Sequence, residues 1–386
     1  MARKIKKKNT TKKKLARKKE TKKKVTKKKV AKKKVAKKKV AKKKVAKKKV
    51  AKKKTAKKKV AKKKVAKKAT KKTAKKATKK KVVKLALAFD PKENTKNLFD
   101  TILELVRKTS AEIPNDVQKV ILEALDREEK NTTAEYAMGI IKANIELAKK
   151  KSQPICQDTG TVLFYVNHPV GFNQTAFTKV VHKAIKKATE VGYLRQNSVD
   201  TLTGENKCMN VGPGHPDIHF HEHTGKKLEI RLMLKGGGCE NVGAQYALPY
   251  TEIGAGRDLD GVRKVILDAV QKAQGKGCGP GVLGVTIGGD RGSGYGNSKE
   301  QLLRRLDDTN SNSDLAALEK DIVETANTLG IGPMGFGGKT TLLGCKIGVL
   351  NRLPASYFVS VSYMCWAYRR LGIEVASDNS IKSWLY

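Results

Sequence analysis

The chain downstream of residue 94 opens with apolar residues at helical spacing. Apolar positions recur every three or four residues over 94–150, as in helices that bury one face. The second of three such windows, 115–127, follows Pro114, and Thr132 or Thr133 can cap the third. We therefore predict three helices, whose apolar faces carry Leu98, Ile102, Leu105 and Val106, then Val117, Val120, Ile121 and Leu125, then Tyr136, Ile140, Ile141, Ile145 and Leu147.

Beyond residue 150, short apolar runs alternate with further helical windows. Runs rich in β-branched residues and bounded by glycine are typical of buried strands. This alternation predicts a fold of the α/β (α+β) class, with helices packed around small mixed or antiparallel sheets. The predicted strands cover 161–166, 228–234, 282–287 and 357–363, and the predicted helices cover 177–191, 259–274, 298–306 and 314–329.

The N-terminal 84 residues follow a different pattern. From residue 21 to about residue 67 the letters KKKVA repeat with period five, which fits neither a helix face nor a strand face. This segment holds 48 of the 85 Lys and Arg residues of the chain and a single acidic residue, Glu20, which leaves 37 basic and 34 acidic residues downstream. Dense like charge opposes compaction, so we predict a disordered lysine-rich tail over 1–84 and one globular domain over 85–386.

The charge of the tail suggests two interpretations. It could bind nucleic acid or another polyanion, as a histone tail does, through sequence-independent and salt-dependent contacts with phosphates. Alternatively, it is a solvated extension that has no dedicated partner. The sequence shows no signal peptide and no apolar run near the roughly 20 residues of a membrane span, so we expect a cytoplasmic protein with no membrane association.

Candidate chemistry centres on the cysteines. Six are scattered along a chain without an export signal, which favours free thiols or metal ligands over disulfides. Cys156, Cys278 and Cys365 each lie at a predicted strand–loop junction, and three converging thiolates could hold a [4Fe–4S] cluster with one iron left open. An inert cysteine is the alternative for each of them, because the chain has no CxxC grouping.

Other motifs allow weaker hypotheses. His219, His221 and His223 alternate and would share one face of a strand, where they could bind zinc or copper or simply face water. Residues 330–335 match GxGxxG but follow a helical window, and Gly338-Lys339-Thr340 lacks the first glycine of a phosphate-binding loop. The glycine-rich loop 330–341 therefore predicts at most a site for an anion.

Six blocks of the sequence, taken together, resemble a known family. In order they are SQPICQDTG, KCMNVGPGHPDIHF, KGGGCENVG, CGPGVLGVTIGGDR, GIGPMGFGGKTTLLG and PASYFVSVSYMCWAYRR. They are similar to the successive blocks of class I fumarate hydratases and of the related L-tartrate dehydratases, in the α-subunit or iron–sulfur domain of those enzymes. The resemblance covers roughly residues 94–371 and excludes the lysine-rich tail.

The resemblance implies a [4Fe–4S] cofactor bound through the thiolates of Cys156, Cys278 and Cys365. It implies that the remaining cysteines are ordinary buried or loop thiols, and these are Cys208, Cys239 and Cys345. The family then predicts a hydro-lyase that interconverts malate with fumarate and water, with L-tartrate dehydration as the alternative. A nucleic-acid-binding protein with an enzyme-like domain is a further alternative, and the tail motivates it.

The resemblance also implies roles for individual residues and partners. Gln157 would form a hydrogen bond with the substrate, Asp158 would take part in acid–base chemistry, and Arg195 would pair with a substrate carboxylate. Leu353 stands where part of the family has a substrate-facing histidine, which leaves the choice of substrate open. We further expect a separate β-subunit that completes the active site, in an α2β2 assembly built on an α homodimer.

Overall fold

A computed structural model describes residues 95–386 of the chain. The predicted tail and its boundary near residue 84 lie outside these residues. The three predicted N-terminal helices are confirmed, and the Thr132 hydroxyl caps the third by accepting a hydrogen bond from the Glu135 N–H at 3.2 Å. The helices are α1 (Thr95–Ala111), α2 (Asn115–Arg127) and α3 (Thr133–Lys151).

A five-stranded mixed sheet follows, and one of its faces is covered by α1 and α4 (Gln174–Glu190). Its spatial order is β2-β1-β3-β8-β9; only β1 and β2 pair in parallel, and the other neighbours are antiparallel. Alternate apolar residues of β3 face the two helices, as the period of a strand requires. The strands are β1 (Thr161–Pro169), β2 (Asp217–His223), β3 (Leu228–Lys235), β8 (Arg370–Val375) and β9 (Ile381–Trp384).

A second, four-stranded sheet has the order β4-β7-β5-β6. Its apolar core includes residues from two helices, α6 (Leu259–Ala273) and α8 (Ser313–Asn327). The predicted α/β (α+β) class, with helices around small mixed sheets, is confirmed. The remaining elements are α5 (Gly237–Asn241), β4 (Ala244–Ala247), β5 (Gly281–Gly288), α7 (Arg291–Gln301), β6 (Leu342–Leu350) and β7 (Phe358–Met364).

The predicted helix over 298–306 was wrong in position, because α7 begins at Arg291 and ends at Gln301. Asp290 starts the helix by accepting hydrogen bonds from the Gly292 and Ser293 N–H groups. The glycines of this segment are typical of a loop, but one of them allows close packing here. A Cβ atom on Gly294 of α7 would lie 3.0 Å from the carbonyl oxygen of Gly288, at the end of β5.

The two sheets are joined by a third apolar cluster beneath α2 and α3. It takes Leu163 and Tyr165 from the first sheet and Val282 from the second, together with the segment after β7 that contains Cys365. The loops that enter and leave both sheets are therefore held against one common core. Of the helices in the described part of the chain, none is long and apolar enough to span a bilayer.

Candidate active site

Three loops that carry cysteines meet where the two sheets share this core. The Trp366 N–H, next to Cys365, donates to the Cys278 carbonyl oxygen at 3.4 Å. The Sγ atom of Cys239, on α5, lies 4.0 Å from the Gly277 carbonyl oxygen. The segments before β5, after β3 and after β7 are thereby brought side by side, although they are distant in sequence.

The thiols interact with one another. Burial raises the pKa of Cys278, and the negative charge of Cys239 and Cys156 raises it further. Interaction with the Cys365 thiol lowers the pKa of Cys239 to about 7, and interaction with Cys239 together with burial raises the pKa of Cys365. The structure therefore brings the three cysteines predicted as ligands into one neighbourhood, with Cys239 as a fourth thiol among them.

The backbone around Cys278 is tightly constrained. Cys278 has φ of 55°, in the left-handed region that residues other than glycine rarely adopt. A Cβ atom on the preceding Gly277 would lie 2.5 Å from the ring of Tyr363, so only glycine lets the loop approach β7 this closely. The loop presents an exposed thiol at Cys278 from a rigid backbone.

Asp158 organises the loop between α3 and β1. Its Oδ1 accepts hydrogen bonds from the Gly160 N–H and from Asn197 Nδ2, both at 2.8 Å. Its Oδ2 accepts from the Gly237 N–H at 2.7 Å. The carboxylate therefore ties the Cys156 loop to the glycines after β3 and to the loop of Arg195, and it lies near the Cys278 thiol.

Arg195 and Gln157 are exposed at the mouth of this site. The Arg195 Nη1 lies 3.4 Å from the Gln157 carbonyl oxygen, and the Arg195 carbonyl accepts from the Thr159 hydroxyl at 2.6 Å. Cys156 is half-buried, and its Sγ lies 3.8 Å from the Gln157 Oε1. The guanidinium of Arg195 makes no ion pair among the described residues, so its donors are available to a carboxylate.

Sequence reasoning missed the role of Asn210. This residue is fully buried, and its Oδ1 accepts from the backbone N–H groups of Asn197 and Ser198 at 2.8 and 2.9 Å. Its Nδ2 donates to the Arg195 carbonyl oxygen at 2.9 Å. Asn210 thus fixes the loop that presents Arg195, and an isolated asparagine in an aperiodic stretch carries no sequence signal for this.

Two buried cations behind the thiols were also missed. Lys235 is fully buried at the end of β3, and burial lowers its pKa. Its Nζ lies 3.3 Å from Glu240 Oε2, but that contact lacks the geometry of a hydrogen bond. Arg369 is 1% exposed, and its Nε and Nη1 have no hydrogen-bond partner within residues 95–386. Both cations act electrostatically on Cys239, and Arg369 also acts on Cys365.

These residues fit an iron–sulfur cluster. Within residues 95–386, no three His, Cys, Asp or Glu side chains are grouped closely enough to hold a single metal ion. A cubane sets its ligands further apart than one ion does, because each thiolate binds a different iron. Thiolates, sulfide and bound carboxylate are anionic, and the buried cations Lys235 and Arg369 supply the opposite charge. Lys235 shares Glu240 with Lys299, and Arg369 makes no ion pair within residues 95–386.

At two other predicted sites, the residues are bound by partners from the chain itself. The histidines lie on β2, an edge strand, where His219 stacks on Tyr165 and its Nε2 lies 3.0 Å from the Asp217 carboxylate. The glycine-rich loop does bind an anion, but this anion is the buried Glu128 of the same chain. The Glu128 carboxylate accepts from the Lys339 and Thr340 N–H groups at 2.9 and 2.8 Å.

Comparison with known proteins agrees with this geometry. The fumarate hydratase (Fumerase) family model matches residues 99–374. A Geobacillus stearothermophilus protein assigned as a class I fumarate hydratase is 50% identical over 295 residues, 75% of this chain and 57% of that protein. A Methanocaldococcus jannaschii protein assigned as an L(+)-tartrate dehydratase alpha subunit is 33% identical over 276 residues, 70% of this chain and 95% of that protein.

A third relative extends the comparison. The alpha subunit of L(+)-tartrate dehydratase from Escherichia coli K12 is 27% identical over 289 residues, which is 74% of this chain and 93% of that subunit. The matched region is thus a little over half of the Geobacillus protein but almost the full length of the two alpha subunits. The chain belongs to the class I fumarate hydratase (Fumerase) family of hydro-lyases.

Proposed function

We propose that residues 95–386 form the catalytic half of a hydro-lyase that interconverts a C4 hydroxy-dicarboxylate, malate, with fumarate and water. The cofactor would be a [4Fe–4S] cluster held by Cys156, Cys278 and Cys365. The observation that carries this proposal is the meeting of these cysteine loops beside Asp158 and the buried cations Lys235 and Arg369. Dehydration of L-tartrate by the same site is the alternative.

The residues around the thiols suit such a reaction. When bound, a cluster with one open iron supplies a Lewis acid for the substrate hydroxyl. Arg195, exposed and without an ion-pair partner in the described chain, would clamp a substrate carboxylate through its planar fork. Gln157, exposed beside it, would orient the substrate by a hydrogen bond.

Asp158 is our candidate for proton transfer. Both of its oxygens already accept hydrogen bonds, and two of the three donors are backbone N–H groups that stay in place. The third donor is the exposed side chain of Asn197, which a substrate can displace. Proton transfer would therefore occur at Oδ1. When the substrate displaces Asn197, this oxygen would lose one of its two donors and could take or release a proton.

The matched lengths support a separate partner subunit. The region corresponds to 95% and 93% of two proteins named as alpha subunits, and to 57% of a longer relative. A name that specifies an alpha subunit implies a beta subunit. We propose that a β-subunit supplies the remaining groups of the site, in an α2β2 assembly.

The test is anaerobic reconstitution of the full chain, alone and with a co-expressed β-subunit, using ferrous iron and sulfide. We expect stoichiometric iron and acid-labile sulfide in the chain, and turnover of malate that requires the β-subunit. Activity on tartrate with none on malate would select the alternative substrate. A chain that takes up zinc in place of iron and sulfide would contradict the proposal.

A second activity follows from the charge of the tail. With 48 basic residues and one acidic residue in 1–84, this segment should bind nucleic acid by releasing counterions from phosphates. Deletion of residues 1–84 should abolish retention of DNA and RNA while hydratase activity survives. In the full chain, affinity for duplexes of different sequence should be equal and should fall steeply with salt. Sequence preference or salt-independent binding would oppose this interpretation.

A further inference from the structure

The thiol site contains more positive charge than the described carboxylates neutralise. Glu240 lies between two lysines, with Lys235 Nζ at 3.3 Å and Lys299 Nζ at 2.8 Å. Lys299 is partly exposed, but Lys235 is fully buried and shares its only carboxylate, and the buried Arg369 has no ion pair in the described chain. A buried charge without a full counter-charge is costly, so an anion bound beside these two cations would be stabilising.

A backbone contact holds the segments of the two cations side by side. Lys235 ends β3 and Arg369 precedes β8, and the Leu234 N–H donates to the Arg369 carbonyl oxygen at 2.9 Å. Arg369 follows Cys365 by four residues, and Cys239 follows Lys235 by four residues on the short α5. The exposures of the two side chains are 0% and 1%, whereas Arg195, the proposed carboxylate-binding residue, is exposed.

We infer that Lys235 and Arg369 are the buried counter-charges of the iron–sulfur group, and that Arg369 donates a hydrogen bond to one of its sulfur atoms. This inference rests on the proposed function. Hydrogen bonds to sulfur and nearby positive charge both favour the reduced, more negative state of a cluster. Both residues would therefore be positioning residues that raise the reduction potential, without touching the substrate.

The test is a redox titration of the reconstituted chain, followed by electron paramagnetic resonance. In Arg369→Met, the ratio of reduced to oxidised cluster at the wild-type midpoint should fall at least tenfold, which corresponds to about 59 mV for a one-electron couple. Lys235→Met should shift the potential in the same direction, and Arg369→Lys should shift it less. Lys346→Met is the matched control, since this lysine is 4% exposed but paired with Asp308. The reduction potential of the cluster in this variant should equal that of the wild type.

The outcomes separate this inference from the proposed function. A chain that takes up no iron and sulfide overturns both. A loaded Arg369→Met variant with a potential equal to that of the wild type overturns only the inference. If that variant does not fold, wild-type protein with ¹⁵N in its arginine side chains should show nitrogen coupling to the reduced cluster, and Arg195→Lys should retain it. No coupling, or coupling lost in Arg195→Lys, would overturn the role of Arg369.

Discussion

Two consecutive arginines show how differently this fold treats buried charge. Arg370, at the start of β8, is fully buried with its Nη2 2.5 Å from the Asp116 carboxylate, and it stacks over the rings of Tyr368 and Tyr386. Arg369, equally buried, makes no ion pair in the described chain and acts electrostatically on Cys239 and Cys365. Nε and Nη1 of both arginines lack a hydrogen-bond partner there, so the difference lies in the charge: Arg370 has a carboxylate partner within residues 95–386, and Arg369 has none.

The comparison teaches which charges stabilise the fold and which serve the site. Breaking a buried pair is costly because the charge that remains has lost its partner. A buried cation without an ion pair, such as Arg369, is costly unless an anion binds beside it, and the proposed cluster would supply that anion. The predictions below test this difference, beginning with the largest effect.

Cys278→Ser should abolish activity on the reconstituted enzyme and remove most of the iron and sulfide. The reason is that the hydroxyl is a far poorer ligand for iron than the thiolate, and the rigid left-handed backbone at this position offers no substitute donor. Iron, sulfide and turnover are measured together. Cys208→Ser is the matched control and should keep all three; full iron in Cys278→Ser would refute this ligand assignment.

Asp158→Asn should lower turnover by about 10²- to 10⁴-fold, the usual loss when a positioned acid–base group is removed. The new amide would also place its N–H donors against the donors that now bond to the carboxylate, so the free energy of unfolding should fall by roughly 1–3 kcal/mol. Asn197→Ala removes only one of the three hydrogen bonds and serves as the control for loop disorder. Steady-state kinetics and thermal unfolding distinguish the two effects. Unchanged turnover would exclude Asp158 from proton transfer.

Asp116→Ala tests the completed side of the comparison. It leaves Arg370 buried without its carboxylate and should destabilise the fold by roughly 3–5 kcal/mol, measured by urea unfolding. The folded fraction should still load iron and sulfide, because Asp116 bonds to Arg370 and to the Leu306 N–H and is not one of the proposed ligands. Asp307→Asn, in a surface pair with Arg305, should change stability by less than about 1 kcal/mol. Equal effects from both variants would contradict the role of burial.

The smallest expected effect concerns pH. Burial raises the pKa of Asp308, but hydrogen bonds from Arg304 and Lys346 outweigh it, so the pKa lies below its ordinary value in the folded protein. The stabilisation is therefore fully present above the ordinary carboxylate pKa near 4 and is lost as the pH falls through the lower, folded value. Because Asp308 is partly exposed, we expect at most ~1 kcal/mol.

Urea midpoints measured at pH 7 and below pH 4 check this prediction. The wild type should lose its advantage over Asp308→Asn in the acidic range, and the two proteins should converge there. A difference that is the same at both pH values would mean that the carboxylate contributes by its shape and not by its charge.

The local spacing of apolar residues was sufficient to predict most helices and several strands. Apolar spacing predicted the helices of the N-terminal layer and the strands around residues 161, 228, 282 and 357, because burial of one face or one run is a local property of the sequence. It misplaced α7, since the glycines that allow close packing on β5 resemble a loop when read without their neighbours. The family resemblance, and not the spacing, selected Cys156, Cys278 and Cys365 among six cysteines.

The sequence by itself determined most of the helices, four of the nine described strands, the family and the identity of the candidate ligands. Only the tertiary structure decided that Cys239 joins the thiols, that Glu128 fills the glycine-rich loop, and that Arg369 is unpaired while Arg370 has Asp116. The physical reason is that compensation of a buried charge depends on distance in space. Asp116 and Arg370 are 254 residues apart along the chain, and no local pattern carries that information.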